Sequence, residues 1–173
     1  MSGKQRESQR IRYRSRPRAS DRMLLRGLVA ATRMFNRAER ATALEVLDER
    51  LQKGPKSGYS FFFAERDREL VGYCSYGPVP LTKRSYDLYW IVVSPSARQL
   101  GIGRALMALA ERAVARCGGG GLYVETSSRR AYGRTRRFYR LAGYRQVARF
   151  AAFYGPRDAK IVFCKVISAK RRA

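Results

Sequence analysis

The residues best placed by type and spacing to do chemistry form one run, Arg98-Gln99-Leu100-Gly101-Ile102-Gly103-Arg104. Before it lies a stretch rich in aromatic and β-branched residues, 86–93, which suits a buried strand. After it, apolar residues fall at 102, 105, 106, 109, 110, 113, 114 and 117, the spacing of one helix face. A helix start leaves backbone N–H groups unpaired, and together with the helix dipole these attract anions. Gly101 and Gly103 put no side chain between that backbone and a phosphate, and Arg98 and Arg104 add charge. The run therefore reads as a pyrophosphate cradle between a strand end and a helix. It is not a P-loop, because no Gly-Lys-Ser/Thr occurs, and Leu106 stands where a dinucleotide fingerprint needs a small residue.

What the chain lacks bounds the rest of the chemistry. It contains no His, which excludes the usual His-based metal sites and catalytic triads. Any general base is then a carboxylate, a water or a less usual group. Cys74, Cys117 and Cys164 lie far apart, with no C-x-x-C pair. Cys117 falls on the apolar helix face and the other two in expected strands, where free cysteine behaves as a small buried hydrophobe. The odd count, with no apolar signal sequence in residues 1–10, fits a reducing compartment, and a cytoplasmic location is expected.

The elements that must position this run follow from periodicity and turn residues. Residues 11–16 alternate bulky and basic side chains and read as a first, edge strand. Ser20 or Asp21 can cap a helix to about residue 34, with Leu24, Leu25, Leu28 and Val29 inward. Asn36 followed by Glu39 is a capping box opening a second helix to about residue 52, with Ala43, Leu44, Leu47 and Leu51 inward. Strands are expected at 59–64 and 70–76, joined around Asp67-Arg68, and Gly77 to Pro80 breaks the chain before the central strand. Beyond the central helix come a strand at 122–126, a helix at about 131–142, and strands at 145–153 and 161–166. No internal repeat and no apolar run of membrane-spanning length is present.

The string I-V-V-S-P-S-A-R-x-x-G-x-G-R-A-L resembles the acetyl-CoA-binding motif of the GNAT acyltransferases, [RQ]-x-x-G-x-[GA], with its preceding strand in place. A second segment, Phe138-Tyr139-Arg140-Leu141-Ala142-Gly143-Tyr144, resembles the F-Y-x-x-x-G-[FY] element that closes that family's fourth helix. The order β-α-α-β-β-β-α-β-α-β-β matches the family from about residue 11 to residue 167. The resemblance implies an α/β fold of mixed (α+β) character, a single domain with a central mixed sheet of about seven strands flanked by four helices. A disordered basic arm (1–10) and a basic tail (168–173) would flank the domain (11–167).

The same resemblance implies an enzyme, an N-acetyltransferase that takes acetyl-CoA as cosubstrate, uses no metal, and transfers directly to a primary amine in a ternary complex. Ile91, Val92 and Val93 would pair with the pantetheine arm, chiefly through main chain. Arg98, Gln99, Leu100, Gly101, Ile102, Gly103 and Arg104 would hold the pyrophosphate. Tyr139 stands at the family's general-acid position, and a phenol of pKa near ~10 suits a departing thiolate. A core aromatic with a satisfied hydroxyl is the other reading. Many members carry Asn seven residues earlier, where this chain has Tyr132; Thr135, Ser127 or water can take that place. Asp87 falls where histone-acetylating members have a catalytic Glu; its shorter arm suggests a water relay, and pairing with an arginine is the alternative. Glu125 is a second candidate base, or a positional hydrogen-bonding group. A cysteine acyl-enzyme is not expected.

The acceptor is the least legible part. Phe35, Phe150, Phe153 and Tyr154 border an acceptor site or belong to the core. A small amine or amino acid is the first expectation. The charge, 37 Lys+Arg against 13 Asp+Glu for a net +24, favours polyanions and so points to a second class, a protein, ribosomal protein or aminoacyl-tRNA. A rival from another class is a nucleic-acid-binding module on a vestigial acyltransferase fold. Against it stand the absence of zinc ligands, of an RNP-type aromatic pattern and of a helix-turn-helix. The dense arginines Arg129, Arg130, Arg134, Arg136, Arg137 and Arg140 either reach the coenzyme's 3′-phosphate or form a solvated face. Monomer and homodimer both remain open.

Overall fold

The computed structural model describes residues 10–170, so all but the last residue of the proposed arm (1–10) and the last three residues of the proposed tail (168–173) lie outside the described residues. Seven strands form one mixed sheet in the order β1-β2-β3-β4-β5-β7-β6. Among the described residues four α-helices accompany them: α1 Asp21–Ala31, α2 Arg37–Lys53, α3 Ile102–Arg116 and α4 Gly133–Leu141. The chain divides into two compact units. One takes the residues up to Gly77 with Trp90–Ala110; the other takes Pro78–Tyr89 with the residues from Glu111 onward.

In the first unit, β1 (Arg12–Arg14), β2 (Ser60–Arg66) and β3 (Glu69–Pro78) pair antiparallel. Asp67 and Arg68 both adopt positive φ, 52° and 68°, which gives the β2–β3 turn the twist a tight hairpin favours. β1 is shorter than the alternation suggested. Its last residue, Arg14, ties it down through its side chain, whose guanidinium lies 4.2 Å from the Phe63 ring centroid. From there it donates to both Asp21 oxygens, at 2.9 and 2.5 Å, and to Glu65 Oε1 at 2.7 Å. Asp21 is therefore not the helix cap the sequence suggested. It is a fully buried acceptor that also takes the Arg18 amide at 2.7 Å.

The Asn36–Glu39 capping box forms in both directions, 2.9 and 2.7 Å. Leu25, Leu28, Val29, Ala43, Val46 and Leu47 pack on Phe61, Phe63, Leu70, Tyr73 and Val92. Leu24 and Leu51, expected inward, are exposed at the edges of their apolar stripes. Gly72 lets α3 come close: a Cβ there would lie 3.0 Å from the Ile102 side chain and 3.1 Å from the Val92 carbonyl. Cys74 Sγ, opposite Leu106, is fully buried.

In the second unit the start of β4 (Ser85–Val93) pairs parallel with β5 (Gly120–Ser127), which pairs antiparallel with β7 (Asp158–Ile167); β6 (Arg145–Gly155) forms the outer edge. The β6–β7 register is interrupted. Phe150 pairs with Lys160 and Gly155 with Asp158, so residues 151–154 bulge out, with Ala152 at φ 51°. Cys117 departs from expectation: α3 ends at Arg116 and the chain turns away through Gly118, Gly119 and Gly120, all at positive φ, leaving the thiol exposed. A Cβ on Gly120 would come within 2.1 Å of the Arg84 carbonyl, so only glycine fits there. The proposed tail is still docked at Lys170, whose amide donates to the Ala115 carbonyl at 3.0 Å.

Candidate functional site

The loop before α3 has the backbone of an anion cradle. Gln99 and Gly101 adopt φ of 67° and 74° on either side of Leu100, and alternation of φ sign turns successive N–H groups toward one side. A Cβ on Gly101 would meet nothing within 4 Å, so the space over the loop is open. Arg98, Gln99, Leu100 and Arg104 are exposed, and among the described residues neither arginine is in an ion pair. Ile102, fully buried, and Gly103 begin the helix, with Ala105 N–H donating to the Gly101 carbonyl at 3.0 Å. Donors, charge and room fit a diphosphate. In the preceding strand Val92 belongs to the core, whereas Ile91 and Val93 are half-buried.

In the second unit, Asp87 and Glu125 come together. Among the described residues the β4–β5 ladder runs only from 85–88 against 121–124; residues 125–127 of β5 then pair with β7 alone. Asp87 sits beside Tyr123 near the end of that ladder, and strand alternation puts Glu125 on the same face as Tyr123. Lys160 of β7 shares that face and donates to Glu125 Oε1 at 3.0 Å. Asp87 is half-buried and, among the described residues, in no ion pair. Burial pushes its pKa up, the Glu125 carboxylate adds to the rise, and the Lys160 ammonium opposes it.

The sign of that shift makes a prediction. A carboxyl whose pKa is raised on folding lowers stability once it ionises. Its relative contribution is favourable below the ordinary Asp range and is lost as pH rises through the raised value. Asp87→Asn is therefore expected to melt higher than wild type at neutral pH, with the difference closing in acid. A neutral-pH melting temperature at or below wild type would count against the strained carboxylate.

Tyr139 lies elsewhere in the same unit. It is 3% exposed, and its ring packs on Phe138, Tyr144 and Phe163 at centroid distances of 5.6, 6.2 and 5.8 Å. Phe163 and Lys160 differ by three residues in β7, so Tyr139 and the carboxylates occupy opposite faces of that strand. Burial pushes the Tyr139 phenol well up from its ordinary value. Thr135 is partly exposed in the first turn of α4. Ser127 is not available to replace the missing Asn: its hydroxyl donates to Asp158 Oδ1 at 2.5 Å and accepts the Arg129 amide at 3.0 Å. Arg129 pairs with Asp158 at 3.0 Å, and Arg136 holds the Ser127 and Arg129 carbonyls at 2.6 and 2.9 Å. Arg130, Arg134 and Arg137 remain exposed and, among the described residues, without ion-pair partners.

Phe35 is partly buried and packs against the first unit's core, with an edge contact to Trp90 at 5.1 Å. Phe150, Phe153 and Tyr154 are about half exposed. Lys160 was missed in the sequence. Its parity with Val162 and Cys164 was the available signal, but its partners on β6 depend on the bulge.

Comparison with known proteins bears on the family and the fold. The sequence model of the acetyltransferase (GNAT) family matches residues 28–144. A solved structure of a protein assigned to the GNAT acetyltransferase family from Desulfovibrio desulfuricans is 40% identical, with a TM-score of 0.90 over 92% of this chain and 100% of that one. The ribosomal-protein-S18-alanine N-acetyltransferase of Escherichia coli is 17% identical, with a TM-score of 0.73 over 94% and 97%. An aminoglycoside 6′-N-acetyltransferase complexed with coenzyme A is 20% identical, with a TM-score of 0.70 over 94% and 99%. These last two share the fold. No curated protein gives a significant match. Among the described residues no cluster of metal-binding side chains occurs, and no helix is long and apolar enough to cross a membrane. The chain belongs to the GNAT acetyltransferase family, and it is an acyltransferase whose cosubstrate is acetyl-CoA.

Proposed function

We propose that this chain acetylates a primary amine directly, within a ternary complex, and that the acceptor is a small amine. The observation that carries this reading is Asp87, a half-buried carboxylate with a raised pKa and, among the described residues, no ion pair, in a chain with a large excess of cations. Such a group holds a proton more readily than an ordinary aspartate, which suits a general base. The acceptor arrives as an ammonium and gives a proton to Asp87 through a water. Its nitrogen then attacks the thioester carbonyl; the C–N bond forms, the C–S bond breaks, and Tyr139 gives its proton to the departing sulfur. The second proton that the nitrogen loses on becoming an amide passes through water to restore the phenol, and Asp87 releases its proton to solvent. Glu125, paired with Lys160, acts on Asp87 by its charge. The cradle at 98–104 holds the pyrophosphate.

Two results test the two halves of the proposal. Asp87→Asn is expected to steepen the dependence of turnover on pH, because the neutral amine must then come from bulk solution. A profile parallel to wild type would remove Asp87 from the chemistry. Gly101→Val forces a side chain into a left-handed φ and into the open space of the cradle. Acetyl-CoA is expected to raise the melting temperature of wild type through linkage and to leave that of the variant nearly unmoved. An equal rise in both would place the coenzyme elsewhere.

Arg130, Arg134 and Arg137, exposed and without ion pairs among the described residues, favour a second reading, in which the amine is carried on aminoacyl-tRNA or a ribosomal protein. Binding of tRNA that weakens steeply with salt would support it. Absence of binding at low salt would leave the small amine.

A further inference from the structure

The bulge in β6 encloses a cation. Lys160 Nζ lies 4.2 Å from the Phe153 ring centroid and 5.2 Å from that of Phe150, and donates to Glu125 Oε1 at 3.0 Å. The lysine side chain is 16% exposed, whereas that of Glu125 is 50% exposed and Phe150 and Phe153 are 49% and 55% exposed. A surface lysine ordinarily lets its ammonium reach water along a flexible stem. Here the ammonium is more enclosed than the groups around it. Register explains how: Phe150 is directly opposite Lys160, and residues 151–154 loop out so that Phe153 comes back over the same side chain. Two aromatic faces and one carboxylate around an ammonium make a recognition site for quaternary or primary ammonium groups.

We propose that Glu125, Phe150 and Phe153 form a subsite for a cationic group of the acceptor, held in the free chain by the Lys160 ammonium as a placeholder. This rests on the reading of the Asp87 face as the acceptor side. The acceptor class is then a diamine-like molecule. Its reacting amine is served by Asp87, and its second, permanent cation takes over the aromatic site as Lys160 swings out on its four-carbon stem. Asp87 and Glu125 both repel a carboxylate or phosphate at this place, which disfavours free amino acids with an ionised carboxyl beside the amine. Competition from Lys160 lowers the apparent affinity by the fraction of time the lysine occupies the site.

The test uses tetramethylammonium, which has no transferable proton and cannot be acetylated, titrated calorimetrically into the full chain. Lys160→Met is expected to bind it about five- to tenfold more tightly than wild type, as the placeholder is removed. Adding Phe153→Ala to that variant is expected to abolish the gain. Phe153 is half exposed, so its loss leaves the core untouched, and an acetyl-CoA-induced rise in melting temperature checks that each variant folds. The same affinity in wild type and Lys160→Met, or a gain that survives Phe153→Ala, overturns the proposal. The probe separates this proposal from the proposed chemistry. Tight ammonium binding without acetyl transfer to any amine would sink the catalytic reading alone. Transfer to diamines with no ammonium binding would sink the subsite alone.

Discussion

Replacing Tyr139 with Phe is expected to lower turnover about ten- to a thousand-fold, the range for loss of a general acid, while acetyl-CoA affinity stays within a few-fold of wild type. The substitution isolates the hydroxyl, because the ring contacts with Phe138, Tyr144 and Phe163 are all available to Phe. Charge on the leaving sulfur appears only as the thioester breaks. A donor to that sulfur therefore acts on the transition state and not on ground-state binding. Burial adds a second expectation. With its pKa raised, the phenol stays protonated across the neutral and mildly alkaline range. Wild type should then show no falling alkaline limb from Tyr139, and Tyr139→Phe should lower the plateau without moving the apparent pKa values. If Tyr139→Phe turns over at the wild-type rate with chemistry rate-limiting, the side chain is a core aromatic and water delivers the proton.

The largest expected effect on stability lies far from the chemistry, at Arg14. Arg14→Met should destabilise the fold by about 3–5 kcal/mol, because Asp21 is fully buried and would keep, among the described residues, only the Arg18 amide as partner. For a domain of this size that corresponds to a melting temperature about 6–20 °C lower. The penalty comes mainly from the abandoned carboxylate. Arg14→Met combined with Asp21→Leu is thus expected to recover most of the loss. A thermal melt of the single and double variants decides it: a single variant within about 1 kcal/mol of wild type would show that Arg14 behaves as an exposed pair.

The parts of the fold read correctly from sequence are those set by neighbours along the chain. The Asn36–Glu39 capping box spans three residues and needs nothing else. The Asp67-Arg68 turn needs only two residues that tolerate positive φ between apolar runs. The strand, glycine loop and helix from 85 to 116 carry their own period changes. What the sequence hid depends on contacts between distant segments. Asp21 looked like a cap because Ser20 and Asp21 precede an apolar stripe. Its actual partner, Arg14, reaches it only once β1 has paired with β2. Leu24 and Leu51 sit at the rims of their stripes, and the crossing of α1 and α2 decides which rim is covered. Lys160 gained its aromatic neighbours from a bulge four residues long, which alternation cannot foresee. Asp87 was found by its place in a family motif, whereas its raised pKa depends on Glu125 and on burial that only the folded sheet supplies.

The most direct test of the central claim is release of free thiol from acetyl-CoA by the purified protein in the presence of a panel of primary amines, peptides and tRNA. The account predicts amine-dependent release, with one acetylated amine formed per thiol, strongest for small acceptors that carry a second cation. Release at the same slow rate with and without every amine, from a protein whose melting temperature acetyl-CoA still raises, would contradict it.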